Sequence, residues 1–401
     1  MNRLLFFASL VFACSPVKGT PLIDAEVLDV NMLQVTPPTG SARIGLDPPL
    51  QLVAMASLSD GTTRDVTLYA TWSSSDATVA SANPEGLVTA LHPGTAMITA
   101  TMKGQSASTA LTVRDALIAV ADRSTPPAVD IYDAFTTGSG VAPLRSISGS
   151  ATLMTAPFGV AVDGDELFDA EQSTTGILVY SAEANGNVAP LRQISGSATG
   201  ITAPLLAIQV YKHEIYVSSS AGSAASPGTI LVFPEDGSGN IPPSRMITGS
   251  NTNLDAPFGM TIQNDLIYVS NQNGHGIDVF PTSASGDVAP LREIAGSATE
   301  LADPLGLAVV NNELYAADLA NWITVFPADA TGNVPPTRWL HGPNTGLLVP
   351  VGVTVIGHTL VCTQDQGGGV YTYPLEATEN QPPTSTFTGS ASFERLGIAA
   401  F

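Results

Sequence analysis

The sequence predicts an all-β protein whose larger part is a six-bladed β-propeller. A motif close to Pro-x-Arg-x-Ile-x-Gly-Ser occurs six times after residue 115, at intervals of 46 to 53 residues, with its glycine at Gly149, Gly196, Gly249, Gly296, Gly342 and Gly389. Each interval holds about four short strand patterns, and such a period is typical of a propeller blade. The chain has 37 glycines and 30 prolines but only 12% charged residues. This composition favours short strands joined by tight turns over helices.

Within each period the strand patterns can be aligned from the axis outwards. The first is small and apolar, as at residues 159–162 and 306–309, which suits a crowded innermost strand. A second pattern ends in a polar residue, a third follows, and an Asn, Gly or Asp turn leads to an outer strand. Five outer strands carry an arginine in register, at Arg145, Arg192, Arg245, Arg292 and Arg338. We expect these arginines to protect the sheet edges and bridge neighbouring blades rather than to bind a ligand.

The propeller is predicted to close through its own two ends. The repeat region opens at residues 117–122, which match a second strand with no first strand before it. Residues 396–401 match a first strand with no second strand after it. The N- and C-terminal strands would therefore pair to complete one blade, and the ring would have no bare edge.

The second strands of the repeats carry a Tyr-Val-Ala/Ser-Asp/Asn pattern, and the third strands follow it with Ile-x-Val-Phe/Tyr. These patterns resemble the NHL-repeat propeller family, and the likeness covers about residues 115–401. It implies the fold but not an activity, because one propeller scaffold serves binding proteins, lyases and lactonases alike.

A second β domain is predicted ahead of the propeller, at residues 26–114. It contains Trp-Ser-Ser-Ser-Asp at 72–76, Gly-Leu-Val-Thr-Ala at 86–90 and Pro-Gly-Thr-Ala-x-Ile-Thr-Ala at 93–100. These elements resemble the bacterial immunoglobulin-like group 2 family in order and spacing. The resemblance implies an Ig-like β-sandwich with Trp72 in its core, used as a spacer or as an adhesive module.

The N-terminus is typical of a targeting segment. Arg3 precedes an apolar run at residues 4–13, which is too short to span a bilayer and is followed by Cys14 and Ser15. This end resembles a bacterial lipobox, which implies a lipoprotein signal peptide at 1–13, lipidation of Cys14 and a tether at 14–25. The alternative is an ordinary signal peptide. Cys362 lies in a strand pattern, and we expect it to be a small buried residue.

Six polar residues end the second strand of successive blades and are the candidate binding residues. They are Asp122, Glu171, Ser219, Asn271, Asp318 and Gln364. Because propeller ligands commonly sit near the axis at the loops joining second to third strands, these side chains could form a ring for a cation or a sugar. Alternatively, each accepts backbone N–H bonds within its own turn. Recurrence in every blade favours the second interpretation.

No catalytic residue is predicted. The sequence lacks G-x-S-x-G, a phosphate-binding loop and a zinc-spaced cysteine pair, and only His275 of its five histidines falls in a second-to-third-strand loop. These observations favour a binding protein without a cofactor, while leaving enzyme status open. The alternative function is a calcium-dependent lyase or lactonase with Asp318, Asp122 and Glu171 as oxygen ligands.

The charge of the chain limits its partners. The formal net charge is −21 with no basic cluster, which excludes nucleic acid because phosphate backbones need a Lys/Arg footprint. We predict an exported monomer, attached by an N-terminal lipid to a bacterial membrane, at the outer membrane or cell surface or in the periplasm. Its partner would be a surface protein or a glycan bound at the loop face of the propeller.

Overall fold

A computed structural model describes residues 29–44, 49–173, 176–220, 228–366, 368–389 and 395–401. Within these ranges the chain is all-β, apart from a 3₁₀ turn at Ser150–Thr152. The described part contains no helix long and apolar enough to cross a membrane. The leader, the tether and Cys14 lie outside the described residues. Of the described residues, 29–40, 49–89 and 95–112 form one compact unit, and the others, chiefly 113–401, form a second.

The first unit is the predicted Ig-like β-sandwich. Its strands form sheets of three, four and three members: Val30–Thr36, Val53–Leu58 and Thr63–Asp65; Thr39–Arg43, Gln105–Arg114, Gly94–Met102 and Thr71–Ser74; and Leu50–Gln51, Leu87–Ala90 and Ala80–Ala82. Trp72 is buried, as predicted, and its indole N–H donates to the carbonyl oxygen of Thr67 at 3.0 Å. This bond satisfies the polar end of an otherwise apolar core residue.

The second unit is the predicted propeller, with six sheets among the described residues. Blades 1 to 5 follow one another along the chain, and a closing blade combines strands from both ends of the repeat region. The strands of blades 1 to 5, from the axis outwards, are Pro157–Asp163, Glu166–Glu171, Ile177–Ser181 and Arg192–Ile194; Leu205–Tyr211, Glu214–Ser219, Thr229–Pro234 and Arg245–Ile247; Pro257–Gln263, Leu266–Asn271, Gly276–Pro281 and Arg292–Ala295; Pro304–Val310, Glu313–Asp318, Trp322–Pro327 and Arg338–Leu340; and Pro350–Ile356, Thr359–Gln364, Gly369–Pro374 and Ser385–Gly389.

The closing blade contains the predicted pairing of the two ends. Its strands are Arg395–Ala400, Leu117–Asp122, Ala128–Asp133 and Arg145–Ser148. Arg395–Ala400 runs antiparallel to Leu117–Asp122, with Ile118 opposite Ala400 and Val120 opposite Ile398. Beyond this pairing, Leu117 and Phe401 exchange two backbone hydrogen bonds of 2.9 Å. A further strand, Gly138–Val141, pairs in parallel with the outer strand of blade 5.

The repeated glycines allow neighbouring blades to approach closely. Gly149, Gly196, Gly249, Gly296 and Gly342 have φ between 107° and 134°, and a Cβ at any of them would lie within 2.7 Å of an Asn or Asp side chain from the next blade. That Asn or Asp side chain accepts a hydrogen bond from the backbone N–H of the residue two positions after the glycine. In one example, the Asn251 N–H donates to Asp287 at 2.7 Å. A glycine is therefore required by both backbone angle and space.

The outer-strand arginines bridge blades as predicted. Arg245 forms a two-pronged ion pair with Glu214 of its own blade, at 2.6 and 2.7 Å, and donates to the carbonyl oxygen of Thr282 in blade 3 at 2.9 Å. Arg338 makes the same contacts with Glu313 and, in blade 5, with Leu375. Between the blades lie apolar layers, and Cys362 is buried in one of them, as predicted.

Candidate functional site

The six candidate ring residues all lie buried at the ends of second strands. The exposed fraction of each is 5% or less. The polar atoms of these side chains bind mainly the backbone of the loop that enters the same blade, not only the turn that follows them. Gln364 accepts the Leu348 N–H at 2.5 Å, and Asn271 accepts the Asp255 N–H at 3.2 Å. Sixteen residues separate the partners in both cases, so the contact follows the repeat.

The acidic members of the set make the most of these bonds. Glu171 accepts the N–H groups of Thr155 and Ala156, and Asp318 accepts those of Ala302, Asp303 and Ala320. Ser219 instead donates to the carbonyl oxygen of Ala203, and Asp122 accepts the Ser124 N–H within its own turn at 2.8 Å. These contacts hold the loops in place. The geometry of the six residues does not support a ligand-binding role for them, which stays a prediction.

The three carboxylates named for a calcium site are not brought together. Among the described residues, no three His, Cys, Asp or Glu side chains are grouped so that they could hold a metal ion. The expected cluster of Asp122, Glu171 and Asp318 is therefore not present in the structure, because each belongs to a different blade and binds its own loop. His275 likewise has a local partner, since its ring nitrogen contacts the carbonyl oxygen of Ala302 in blade 4.

The propeller axis is apolar at the end where the innermost strands begin. Phe158, Leu305 and Val351 pack together there, and Leu206 and Phe258 join them. Two cavities lie along the innermost strands, of about 60 and 260 Å³, and none of the six ring residues lines either one. The larger cavity has Gln209, Thr261 and Thr354 as its polar side chains. Among the described residues, no titratable side chain lines these cavities.

An aromatic cleft lies on the loop face of blade 4. We call it the blade-4 cleft and define it by Asn321, Trp322, Trp339, His341, Pro343 and Leu347. Its volume is about 380 Å³. The two indole rings meet edge to face, with centroids 5.4 Å apart and planes at 86°. The His341 ring lies 4.1 Å from the Trp339 ring at 33°. Trp322 starts the third strand and His341 follows the outer strand, so the cleft opens beside the second-to-third-strand loop.

The cleft departs from the repeat at each aromatic position. Strand register aligns Trp322 with Gly or Thr in blades 1, 2, 3 and 5 and with Ala in the closing blade, namely Gly176, Thr229, Gly276, Gly369 and Ala128. The same register aligns Trp339 with Gln193, Met246, Glu293, Thr386 and Ser146. At the position of His341 the other blades have Ser, Thr or Ala, at Ser195, Thr248, Ala295, Thr388 and Ser148. The blade framework therefore does not require aromatic residues here.

The two tryptophans also lower the stability of the blade through their indole N–H groups. The indole nitrogens of Trp322 and Trp339 are buried without a hydrogen-bond acceptor among the described residues. A buried donor without an acceptor costs about 1–3 kcal/mol. A purely apolar side chain would avoid this cost, so stability alone does not explain why tryptophan occupies both positions.

The cleft was not among the predicted sites, although the sequence carries a signal for it. The predicted site residues recur in every blade, and recurrence is typical of structural contacts. The informative feature is a departure from the repeat, because two of the three tryptophans of the chain occupy non-aromatic repeat positions within a single blade. Only the register of the strands shows that these two positions and His341 lie together.

Comparison with known proteins identifies the N-terminal domain. Residues 29–113 match the family model of the bacterial Ig-like domain (group 2). A stretch of 94 residues is 44% identical to Ice-binding protein 1 of Shewanella frigidimarina (strain NCIMB 400). This match covers 22% of the present chain and 10% of the relative, so the chain spans only a tenth of the length of that protein.

Solved structures resemble the fold of the larger part of the chain. A chain in the crystal structure of a nidogen/laminin complex is 16% identical with a TM-score of 0.52, and the match covers 71% of the present chain and 98% of that one. The WD40 β-propeller domain of Doa1 is 10% identical with a TM-score of 0.45, over 74% of this chain and 80% of that one. At such identity the first likeness concerns fold alone.

Proposed function

We propose that the protein is an exported bacterial binding protein that engages a ligand at the loop face of its propeller, with the Ig-like domain as a spacer. The observation that carries this proposal is the blade-4 cleft. It is a concave aromatic site of about 380 Å³ on the predicted face, and small-molecule sites have this size and lining. The other blades fold without aromatic residues at these positions, so ligand binding would account for their presence in blade 4.

The comparisons support a role at the bacterial surface. The Ig-like domain family is bacterial, and the partial relative is named for binding ice. Only a tenth of that relative is matched, so the proposal takes from it a surface-binding role and not ice as the ligand. Lipidation of Cys14 and the NHL-type ancestry of the propeller are parts of the same proposal that rest on the sequence.

The binding role can be tested with the full-length protein. Fluorescently labelled protein is incubated with purified bacterial envelopes and sedimented. A reverted variant carries Trp322→Thr, Trp339→Gln and His341→Ser, which are the residues of blades 2 and 1 at these positions. We expect saturable binding by the wild type and its loss in the reverted variant.

The control changes the same register in another blade. Met246→Gln alters an exposed outer-strand residue of blade 2 and should bind like the wild type. Undiminished binding by the reverted variant would place the binding surface elsewhere, and no binding by the wild type would contradict the surface role. Lipidation is tested separately, because labelling with a fatty-acid analogue should disappear in Cys14→Ser.

A further inference from the structure

The blade-4 cleft offers aromatic side chains against which a ring with apolar faces can stack. Trp322 and Trp339 present planes nearly at right angles, so that a ring stacked on one indole meets the edge of the other. The His341 ring lies over one face of Trp339, with centroids 4.1 Å apart and planes tilted by 33°, and so backs that indole from one side. Pro343 adds a further apolar wall. Rigid aromatic walls hold a ligand at little cost in side-chain entropy, because they have few rotatable bonds.

Polar groups are present at the edge of the same cleft. The Asn321 amide oxygen accepts the Val349 N–H at 2.7 Å, which fixes the side chain and orients its amide nitrogen as a donor. The His341 ring supplies a second polar group, and its backbone is fixed because the His341 N–H donates to the Glu379 carbonyl oxygen at 2.9 Å. The cleft therefore combines apolar faces with a few positioned polar atoms, which is the general make-up of a specific small-molecule site.

The charge of the cleft selects a neutral ligand. Among the described residues that line it there is no Asp, Glu, Lys or Arg side chain. A cationic ligand would find no carboxylate to pair with, although aromatic rings alone attract cations. An anionic ligand would find no fixed cation and would be repelled by a chain of net charge −21.

We propose that the blade-4 cleft binds a neutral saccharide, with a pyranose ring stacked on the indole of Trp339. A pyranose has apolar C–H faces and a rim of hydroxyl groups, which match the aromatic walls and the polar edge formed by Asn321 and His341. This inference rests on the proposed binding function and names the ligand class of that site. It makes blade 4 a lectin-like site within a propeller whose other blades are structural at these positions.

Titration of the full-length protein with neutral tetrasaccharides tests the assignment. The probes are cellotetraose, maltotetraose and chitotetraose, followed by tryptophan fluorescence and by calorimetry, with choline chloride as a cationic comparison. Two of the three tryptophans line the cleft, and the third, Trp72, is buried in the Ig-like unit. We expect saturable fluorescence change with at least one tetrasaccharide. Trp339→Gln should weaken that binding about tenfold or more, because it removes the stacking surface.

The outcomes separate the ligand class from the binding function. Met246→Gln should bind saccharide like the wild type, and melting curves establish that Trp339→Gln is folded. Binding of choline but of no tetrasaccharide would overturn the saccharide assignment. If no tetrasaccharide binds but envelope binding is still lost in the reverted variant, the saccharide assignment is wrong and the proposed binding function is retained. Saccharide binding that is unchanged in Trp339→Gln would place the sugar site outside the cleft and so would also overturn it.

Discussion

Replacing Asp169 by valine should stabilise the propeller. Asp169 lies in the second strand of blade 1 and is fully buried, and no N–H or hydroxyl group of the described residues donates to its carboxyl oxygens. The aligned positions in blades 2 to 5 are apolar or weakly polar, namely Val217, Val269, Ala316 and Cys362. Burial is the main cause that raises the pKa of Asp169 well above its ordinary value, and the neighbouring Glu171 carboxyl adds to it.

The size and sign of the effect follow from that environment. A buried polar group without a partner costs about 1–3 kcal/mol, so Asp169→Val should gain about 2 kcal/mol at neutral pH. In a unit of this size such a gain corresponds to roughly 4 °C in Tm. Below the unfolded-state pKa of about 3.9, both states are protonated. As pH rises above it, the unfolded chain loses a proton that the folded chain retains, and wild-type stability falls. The advantage of Asp169→Val should therefore grow as the pH rises above about 4, until the folded-state pKa is reached.

Circular-dichroism melting curves across this range measure the difference in Tm between the two proteins. Asp329→Ala changes an exposed aspartate in blade 4 and serves as the control, with no pH-dependent gain expected. A lower Tm for Asp169→Val would refute the reasoning, because it would mean that Asp169 and Glu171 share a proton in a bond that stabilises blade 1.

Three further predictions concern ring closure, calcium and the blade contacts. Deleting residues 396–401 removes the partner of Leu117–Asp122 and the buried Phe401, and Tm should fall by about 10 °C or more; a melting curve like that of the full-length protein would contradict closure by these strands. Asp318→Asn should lose about 1–2 kcal/mol of stability, because the carboxylate accepts three backbone N–H groups. Millimolar calcium should leave the Tm of the wild type and of this variant unchanged. A rise in Tm with calcium that Asp318→Asn abolishes would instead favour the metal-dependent enzyme. Gly249→Ala should destabilise more than Gly286→Ala, since both residues have positive φ but only at Gly249 would a Cβ meet a side chain, that of Asp287 at 2.3 Å; equal losses in chemical denaturation would show that the contact is unimportant.

The periodicity of the sequence was sufficient to predict the architecture of the protein. The period of the glycines specified the blades, and the unmatched strand patterns at residues 117–122 and 396–401 specified the closing pair. These features can be predicted because a blade is a local unit, and its turns and strand alternation depend on residues that are consecutive in the sequence. The same holds for Trp72, because the motif around it fixes its place in a known type of sandwich.

Which polar and aromatic residues are available to a ligand depends on contacts that form only in the folded chain. The polar ring was predicted from position alone, but the partners of Glu171 and Asp318 lie in a loop that is distant in sequence and meets them only when the blade folds. The blade-4 cleft arises in the same way, since Trp322 and Trp339 are brought together by pairing of the third and outer strands. Strand periodicity indicates which face a side chain occupies, but not which side chain of another strand lies next to it, and that neighbour decides whether a residue holds a loop or lines a site.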